Sequence, residues 1–192
     1  MNTADSIEVK NKRAKKMMLW FGMISMSMTF AGLTSAYVVS SSRADWLEQI
    51  TLPTAFTIST ILIVLSSASF HFAKKFFQKE QVSKARLALL LTLGLALAFI
   101  YFQFQGFSEI IGMGYYFTGP QSSINTSYLY VLVLLHLAHL GAGIIVVLRL
   151  LYVSYFTNNP TKHSLGFELA TTFWHFLDLL WVYLYLFVSF YS

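Results

Sequence analysis

The sequence contains no cysteine among its 192 residues, which excludes disulfide bonds, thiolate metal ligands, Fe–S clusters and cysteine nucleophiles. Charged residues are scarce at 11% of the chain, and only three prolines interrupt it. The first apolar run is long and lacks a small-residue cleavage pattern at its end, so we expect no cleavable signal peptide. The residues present are 56% hydrophobic and 17% aromatic. This composition suits lipid better than water.

Five apolar runs are long enough to cross a bilayer, since a transmembrane helix needs about 20 residues. They predict an all-α integral membrane protein built as one five-helix bundle. A basic N-terminal segment, residues 1–16, precedes the single membrane domain, residues 17–192. The predicted spans are residues 17–39, 52–73, 87–107, 126–150 and 166–191.

The charges outside the spans predict the orientation of the bundle. Lys and Arg are concentrated in the N-terminal segment and in the second connection, whereas the third connection has Glu109 and neither Lys nor Arg. The first connection sets Arg43 against Asp45 and Glu48, and the fourth contains Lys162. Because Lys and Arg stay on the cytoplasmic side, we expect a cytoplasmic N-terminus and an external C-terminus. The net charge of +5 is thus a topology signal, and we expect no nucleic acid partner.

The first span is predicted to be a packing helix. It holds five of the seven methionines, and Met in a bundle fills irregular gaps more often than it binds Cu(I). Ala31 with Ser35, and Gly32 with Ala36, are pairs of small residues four positions apart that allow close helix approach.

The last span contains ionisable residues that are costly in lipid. Glu168, His175 and Asp178 lie on one helix face together with Thr171 and Tyr185, because they are separated by steps of three and four residues. Such groups normally face a bundle interior and pair with each other or with neighbouring helices. This face is therefore predicted to contact protein.

His136 and His139 share a face of the fourth span. One interpretation is a haem or metal site completed by His175, since a bis-imidazole haem needs two facing histidines at matching depth. The favoured interpretation is hydrogen bonding between helices. His139 and Asp178 lie at similar depth, so we expect a direct or single-water hydrogen bond between them that locks the two helices.

Several stretches resemble one known family. Residues 166–168 and 173–181 look like the last-helix signature of subunit III of the haem–copper terminal oxidases, the cytochrome c oxidase subunit 3 family. Residues 136–143 resemble its paired-histidine helix, and residues 30–37 and 53–73 resemble its first two core helices. The resemblance covers the chain from about Leu19 onward and fits the short five-helix bacterial form. One departure is Ser25-Met26, where the family usually has a glutamate after the serine, so the role of that acid cannot be transferred.

The resemblance implies a non-catalytic subunit of an aa3-type respiratory oxidase in the bacterial inner membrane. Oxygen reduction and proton pumping would occur in partner subunits I and II, which hold the haem and copper, while this chain binds no metal. It would buttress the catalytic subunit, support proton uptake and hold phospholipid in a cleft between the first two and the last three helices. Trp174 is a candidate lipid contact. The structural polar residues would be His136, His139, Glu168, His175 and Asp178.

Two alternatives remain open from the sequence. The chain could be subunit III of a quinol oxidase, because the electron donor is decided in another subunit. It could instead be a five-helix haem-binding or transport protein that uses His136, His139, His175 and Asp178.

Overall fold

The fold consists of five long helices in a computed structural model that describes residues 3–43, 46, 52–117, 124–156 and 164–191. Asp45, Glu48 and Lys162, which contribute to the predicted orientation, lie outside these residues. Each helix is long and apolar enough to cross a membrane, so the predicted five-span, all-α class is confirmed. The helices are α1 (Thr3–Ser40), α2 (Thr54–Gln78), α3 (Val82–Gly112), α4 (Ile124–Phe156) and α5 (Ser164–Tyr191).

Helix α1 begins at Thr3, well before the predicted span at Met17. The basic segment continues the helix because its residues, rich in Lys, Arg and Ala, include no proline and no glycine. We call the end of the bundle where α1 and α5 begin the basic end. Lys15, Lys74 and Arg149 lie there, on α1, α2 and α4 respectively.

The helices α2 and α3 form the most extensive pair in the bundle. Only Lys79, Glu80 and Gln81 connect them, and Glu80 adopts a left-handed backbone conformation with φ of 60° that lets the chain reverse. Further along the pair, a Cβ on Gly106 would lie 2.8 Å from the ring of Phe56. Glycine therefore lets the two helices approach closely at this position.

Helices α2 to α5 form a closed four-helix ring, since α2 packs on α3, α3 on α4, α4 on α5 and α5 on α2. Helix α1 lies outside this ring and packs mainly against α4 and α5. The ring interior is filled by buried aromatic and aliphatic side chains, among them Phe70, Phe99, Leu140 and Leu177. The ring is thus a packed core with α1 as a peripheral helix.

The outer surface of α1 is largely free of contacts within the described chain. Met18, Phe21 and Met28 are all more than two-thirds exposed. Among the described residues, no side chain would come within 4 Å of a Cβ added at Gly32. The small-residue pairs of α1 therefore face away from the bundle, which leaves them available to lipid or to another subunit.

Candidate functional site

The polar residues of α5 are held mainly by α2. Four interhelical hydrogen bonds connect residues 57–67 of α2 to residues 174–185 of α5, and we call them the α2–α5 seam. They are Thr57–Tyr185 at 2.9 Å, Thr60–Trp181 at 3.0 Å, Ser66–Trp174 at 3.1 Å and Ser67–His175 at 2.6 Å. Hydrogen bonds of this kind between membrane helices contribute about 0.6 kcal/mol each. The prediction that this face of α5 contacts protein is confirmed.

The spacing of polar residues produces the seam. Ser and Thr recur on α2 at positions 57, 60, 66 and 67, and their partners on α5 run in the opposite order. The two helices are antiparallel, so each hydroxyl of α2 lies at the same level along the bundle as the Trp, His or Tyr side chain of α5 to which it is hydrogen-bonded. The sequence analysis did not predict the α2–α5 contact; this match between Ser and Thr on one helix and Trp, His and Tyr on the other is a signal that could have identified it.

Asp178 lies inside the bundle without a hydrogen-bond partner. Its side chain is 4% exposed, and neither carboxyl oxygen is hydrogen-bonded by the described residues. The hydroxyl of Ser67 lies beside the carboxyl, but its hydrogen bond goes to Nδ1 of His175. The carboxyl group is therefore an unpaired polar group in a membrane interior, where such groups are costly.

The predicted direct hydrogen bond between His139 and Asp178 is wrong. The Nδ1 atom of His139 lies 2.8 Å from the carbonyl oxygen of Leu135 on its own helix. The imidazole packs against Phe30 of α1, with ring centroids 5.8 Å apart. Similar depth did not bring the two groups together, because His139 contacts α1 whereas Asp178 lies beside Ser67 of α2.

His136 occupies an aromatic box formed by three other helices. Its ring centroid lies 6.5 Å from Phe30 of α1, 6.1 Å from Phe99 of α3 and 5.1 Å from Trp181 of α5. The side chain is completely buried, and within the described residues neither ring nitrogen has a hydrogen-bond partner. Interhelical hydrogen bonding by His136, the interpretation favoured from the sequence, is therefore not what the structure contains.

The histidines do not assemble into the haem or metal site that the sequence left open. His136 is enclosed by aromatic rings, whereas His175 is bonded to Ser67 on α2, so the two imidazoles belong to different interfaces. Over the described ranges, no three His, Asp or Glu side chains are grouped closely enough to hold a metal ion. These helices therefore use their histidines in packing and in the seam.

Trp174 is the largest fully buried side chain of α5. The prediction that it contacts lipid is wrong. It is 1% exposed, and its indole N–H donates to Ser66. Its ring lies 5.6 Å from that of Phe70, and a Cβ added at Gly143 of α4 would lie 3.3 Å from it. The indole thus fills the ring of helices where α2, α4 and α5 meet.

The expected cleft between the first two and the last three helices is also absent from the described chain, because α2 packs tightly on both α3 and α5. A groove with a volume of about 830 Å³ lies instead between α1 and the pair α4 and α5, at the basic end. We call it the basic groove. It is lined by Lys15 and Arg149 and, further along the helices from the basic end, by Leu19, Val146, Leu169 and Phe173.

Glu168 joins α5 to α1 at the basic end. Its carboxylate accepts a 2.8 Å hydrogen bond from the ammonium group of Lys16, and the two side chains are 46% and 45% exposed. This position explains how an acid is tolerated in the last span, since a basic partner from α1 neutralises it.

The Lys16–Glu168 ion pair should contribute little stability. Because it is nearly half exposed, we expect a double-mutant cycle with Lys16→Gln and Glu168→Gln to give a coupling free energy of about 0.5 kcal/mol. Thermal unfolding of the purified protein at low and high salt measures this coupling. A coupling several times larger, or one that salt does not reduce, would contradict a solvent-screened pair.

Comparisons with known proteins agree on one family. Residues 18–192 match the family model described as Cytochrome c oxidase subunit III. The chain is 28% identical to the cytochrome bo(3) ubiquinol oxidase subunit 3 of Buchnera aphidicola subsp. Acyrthosiphon pisum, over 98% of this chain and 92% of that protein. It is 27% identical to cytochrome c oxidase subunit 3 of Thermostichus vulcanus, over 85% and 80% of the two chains. It is 25% identical to cytochrome c oxidase subunit 3 of Bacillus sp. strain PS3, over 94% and 86%.

Proposed function

Because the chain belongs to the cytochrome c oxidase subunit III family, we propose that it is the accessory, non-catalytic subunit of an aa3-type respiratory oxidase in a bacterial inner membrane. The observation that carries this proposal is that the family match runs through all five spans. The interior of the bundle is occupied by side chains, as suits a subunit whose work is structural. The catalytic chemistry belongs to partner subunits I and II, with their haem and copper.

The outer face of α1 supports contact with another membrane chain. Its small residues Ala31, Gly32 and Ser35 are exposed in the described chain, and small residues let helix backbones approach closely in lipid. An interface with the catalytic subunit would cover this face and buttress that subunit. Support of proton uptake would follow, since a chain beside a proton entrance controls the access of water and lipid to it.

A tagged pulldown tests the proposed complex. Purification in mild detergent through a tag on this chain should recover a large haem–copper subunit, and the reduced spectrum should show haem A. Variants His136→Ala and His175→Ala that still assemble should keep the full haem spectrum, because neither imidazole is offered as a ligand. Recovery of a monodisperse haem-free single chain, or loss of a haem band in either variant, would refute the proposal.

A quinol oxidase is the second candidate, favoured by the nearly full-length match to a ubiquinol oxidase subunit 3. The same purified complex separates the two. An aa3-type oxidase would oxidise reduced cytochrome c and contain haem A, whereas a quinol oxidase would turn over with a quinol and not with cytochrome c. The accessory role of this chain is the same in both.

The basic groove is proposed to hold the structural phospholipid. Its lining includes apolar residues such as Leu19 and Phe173, and Lys15 and Arg149 lie nearer the basic end. This arrangement suits acyl chains along the apolar residues and an anionic phosphate head nearer the basic end. Basic residues near a membrane surface attract such heads by about 1 kcal/mol each.

Removing one cation should weaken lipid retention. We expect Arg149→Gln to lower the phospholipid that copurifies at limiting detergent roughly fivefold, which corresponds to about 1 kcal/mol. Mass spectrometry of the extracted lipid measures the change. Lys84→Gln is the matched control, because Lys84 lies in the first turn of α3 and does not line the groove. Equal lipid loss in both variants would contradict a specific site in the groove.

A further inference from the structure

The side chains around Asp178 form a short polar series that reaches from the core towards the basic end. Ser67 lies beside the Asp178 carboxyl and is hydrogen-bonded to Nδ1 of His175 at 2.6 Å. The ring of His71 follows, with its centroid 6.1 Å from that of His175. We infer that Asp178 exchanges a proton with the basic end of the bundle through Ser67 and His175.

Burial determines the resting state of Asp178. An ionised carboxylate without a hydrogen bond is costly in a membrane interior, and both oxygens of Asp178 are buried without partners among the described residues. The resting carboxyl therefore carries its proton. Its proton needs a route out if it is to exchange, and Ser67 is the hydroxyl group beside it.

The outer end of the series lies at the surface of the described chain. Exposure increases from Asp178, which is buried, through Ser67 and His175, which are half-buried, to His71, which is exposed in the described chain. Ser67 and His71 are four residues apart on α2, and His175 and Asp178 are three apart on α5, so each pair shares a helix face. The antiparallel packing of α2 and α5 thus aligns the series along the bundle.

Besides these side chains, the transfer needs only water as the final proton acceptor. The Asp178 O–H bond breaks and its proton passes to the Ser67 oxygen, while the Ser67 hydroxyl proton passes to Nδ1 of His175. His175, in the tautomer protonated on Nε2, becomes an imidazolium and releases the Nε2 proton to water at the basic end. One proton leaves, Asp178 becomes a carboxylate, and the reverse sequence restores the acid.

Other titratable groups around Asp178 are few. Lys74 and His71 on α2 lie near enough to His175 to interact with it electrostatically. Both lie towards the basic end. On α4, His136 is sealed in its aromatic box and His139 faces Leu135 and Phe30. No Asp, Glu, Lys, Arg or His occurs in residues 17–42, which form the apolar part of α1 and the turn after it. The same is true of residues 87–108 of α3. The route through Ser67 and His175 is therefore the polar connection that these residues offer.

Infrared spectroscopy tests the inference in whatever assembly the tagged chain is purified with. The spectrum of wild type minus that of Asp178→Asn should isolate one carboxylic-acid C=O band. On transfer to D₂O, the shift of that band measures proton exchange at Asp178. Ser67→Ala should slow the exchange about a hundredfold, the lower end of what a positioned proton-transfer group contributes. Ser67→Thr, which keeps the hydroxyl group, should restore the wild-type rate.

Controls separate the route from general loosening of the bundle. Ser66→Ala removes the neighbouring hydroxyl, which bonds Trp174, and should leave the exchange rate unchanged. His175→Asn should slow exchange as much as Ser67→Ala does. It tests the same proton route if Ser67→Ala fails to assemble. Absence of a carboxylic-acid band from Asp178, or exchange as fast in Ser67→Ala or His175→Asn as in wild type, overturns the inference. Neither result bears on which complex the chain belongs to, which the pulldown decides.

Discussion

Replacing Trp174 with alanine should lower the free energy of unfolding by about 3 kcal/mol, the largest loss expected from a single truncation in this chain. The indole is 1% exposed and packs on Phe70, so alanine would leave a cavity lined by side chains of three helices. The Ser66 hydroxyl would also lose its donor. The expected loss lies at the low end for a large aromatic residue because lipid is as apolar as the core, so the hydrophobic contribution to stability is small. The substitution then removes only packing contacts and one hydrogen bond.

Thermal unfolding of the purified assembly and its yield measure this effect. Trp20→Ala is the matched control, because Trp20 is 59% exposed on α1 and its loss opens no cavity within the chain. Phenylalanine at position 174 should recover most of the packing but not the hydrogen bond. Equal destabilisation by Trp174→Ala and Trp20→Ala would show that the ring interior is not packed as described.

A leucine at position 143 should destabilise the bundle by about 3 kcal/mol or prevent assembly, at the upper end for overpacking. A Cβ at Gly143 would already lie 3.0 Å from Leu177 and 3.3 Å from the ring of Trp174. The remaining atoms of leucine would have to enter the α4–α5 interface. Alanine at the same position should have a milder effect, because Leu177 is a flexible side chain that can shift by a few tenths of an ångström.

Gly141 provides a control two residues away on the same helix. Among the described residues, nothing lies within 4 Å of a Cβ built there. The free energy of unfolding of Gly141→Leu should therefore lie within about 1 kcal/mol of the wild-type value. The same glycine-to-leucine change is therefore expected to be strongly destabilising on one face of α4 and nearly neutral on the other. Similar melting of the two variants would contradict the close α4–α5 approach at Gly143.

The sequence predicts the five helices because length and apolarity alone decide which segments cross a bilayer. It also predicts that the polar face of α5 contacts protein, since Glu168, His175 and Asp178 are too costly in lipid. The height of each residue in the membrane follows from its position in its span. The direction in which it points does not follow, and for that reason His139 was paired with Asp178 although it contacts α1.

The neighbours of each helix depend on packing details that one sequence leaves open. Ser67 and His139 lie on different helices, and the packing of α2 against α5 places Ser67 beside Asp178. The burial of Trp174 follows from the same packing, which brings Ser66 to its ring, and from the packing of α4 on α5, which brings Gly143 there. The position of the basic groove depends in turn on α1 lying outside the ring of α2 to α5.

The peripheral position of α1 has a consequence for biosynthesis. Helix α1 leaves the ribosome before α2 to α5, yet its main neighbours are α4 and α5, of which α5 ends at Tyr191. At about 5–20 residues per second, the interval between translation of Ser40 and of Tyr191 is about 8–30 s. During that time α2 and α3 can already pair through their short turn. Helix α1 is therefore inserted before its main neighbours exist, and the insertion machinery or surrounding lipid must shelter it until α4 and α5 follow.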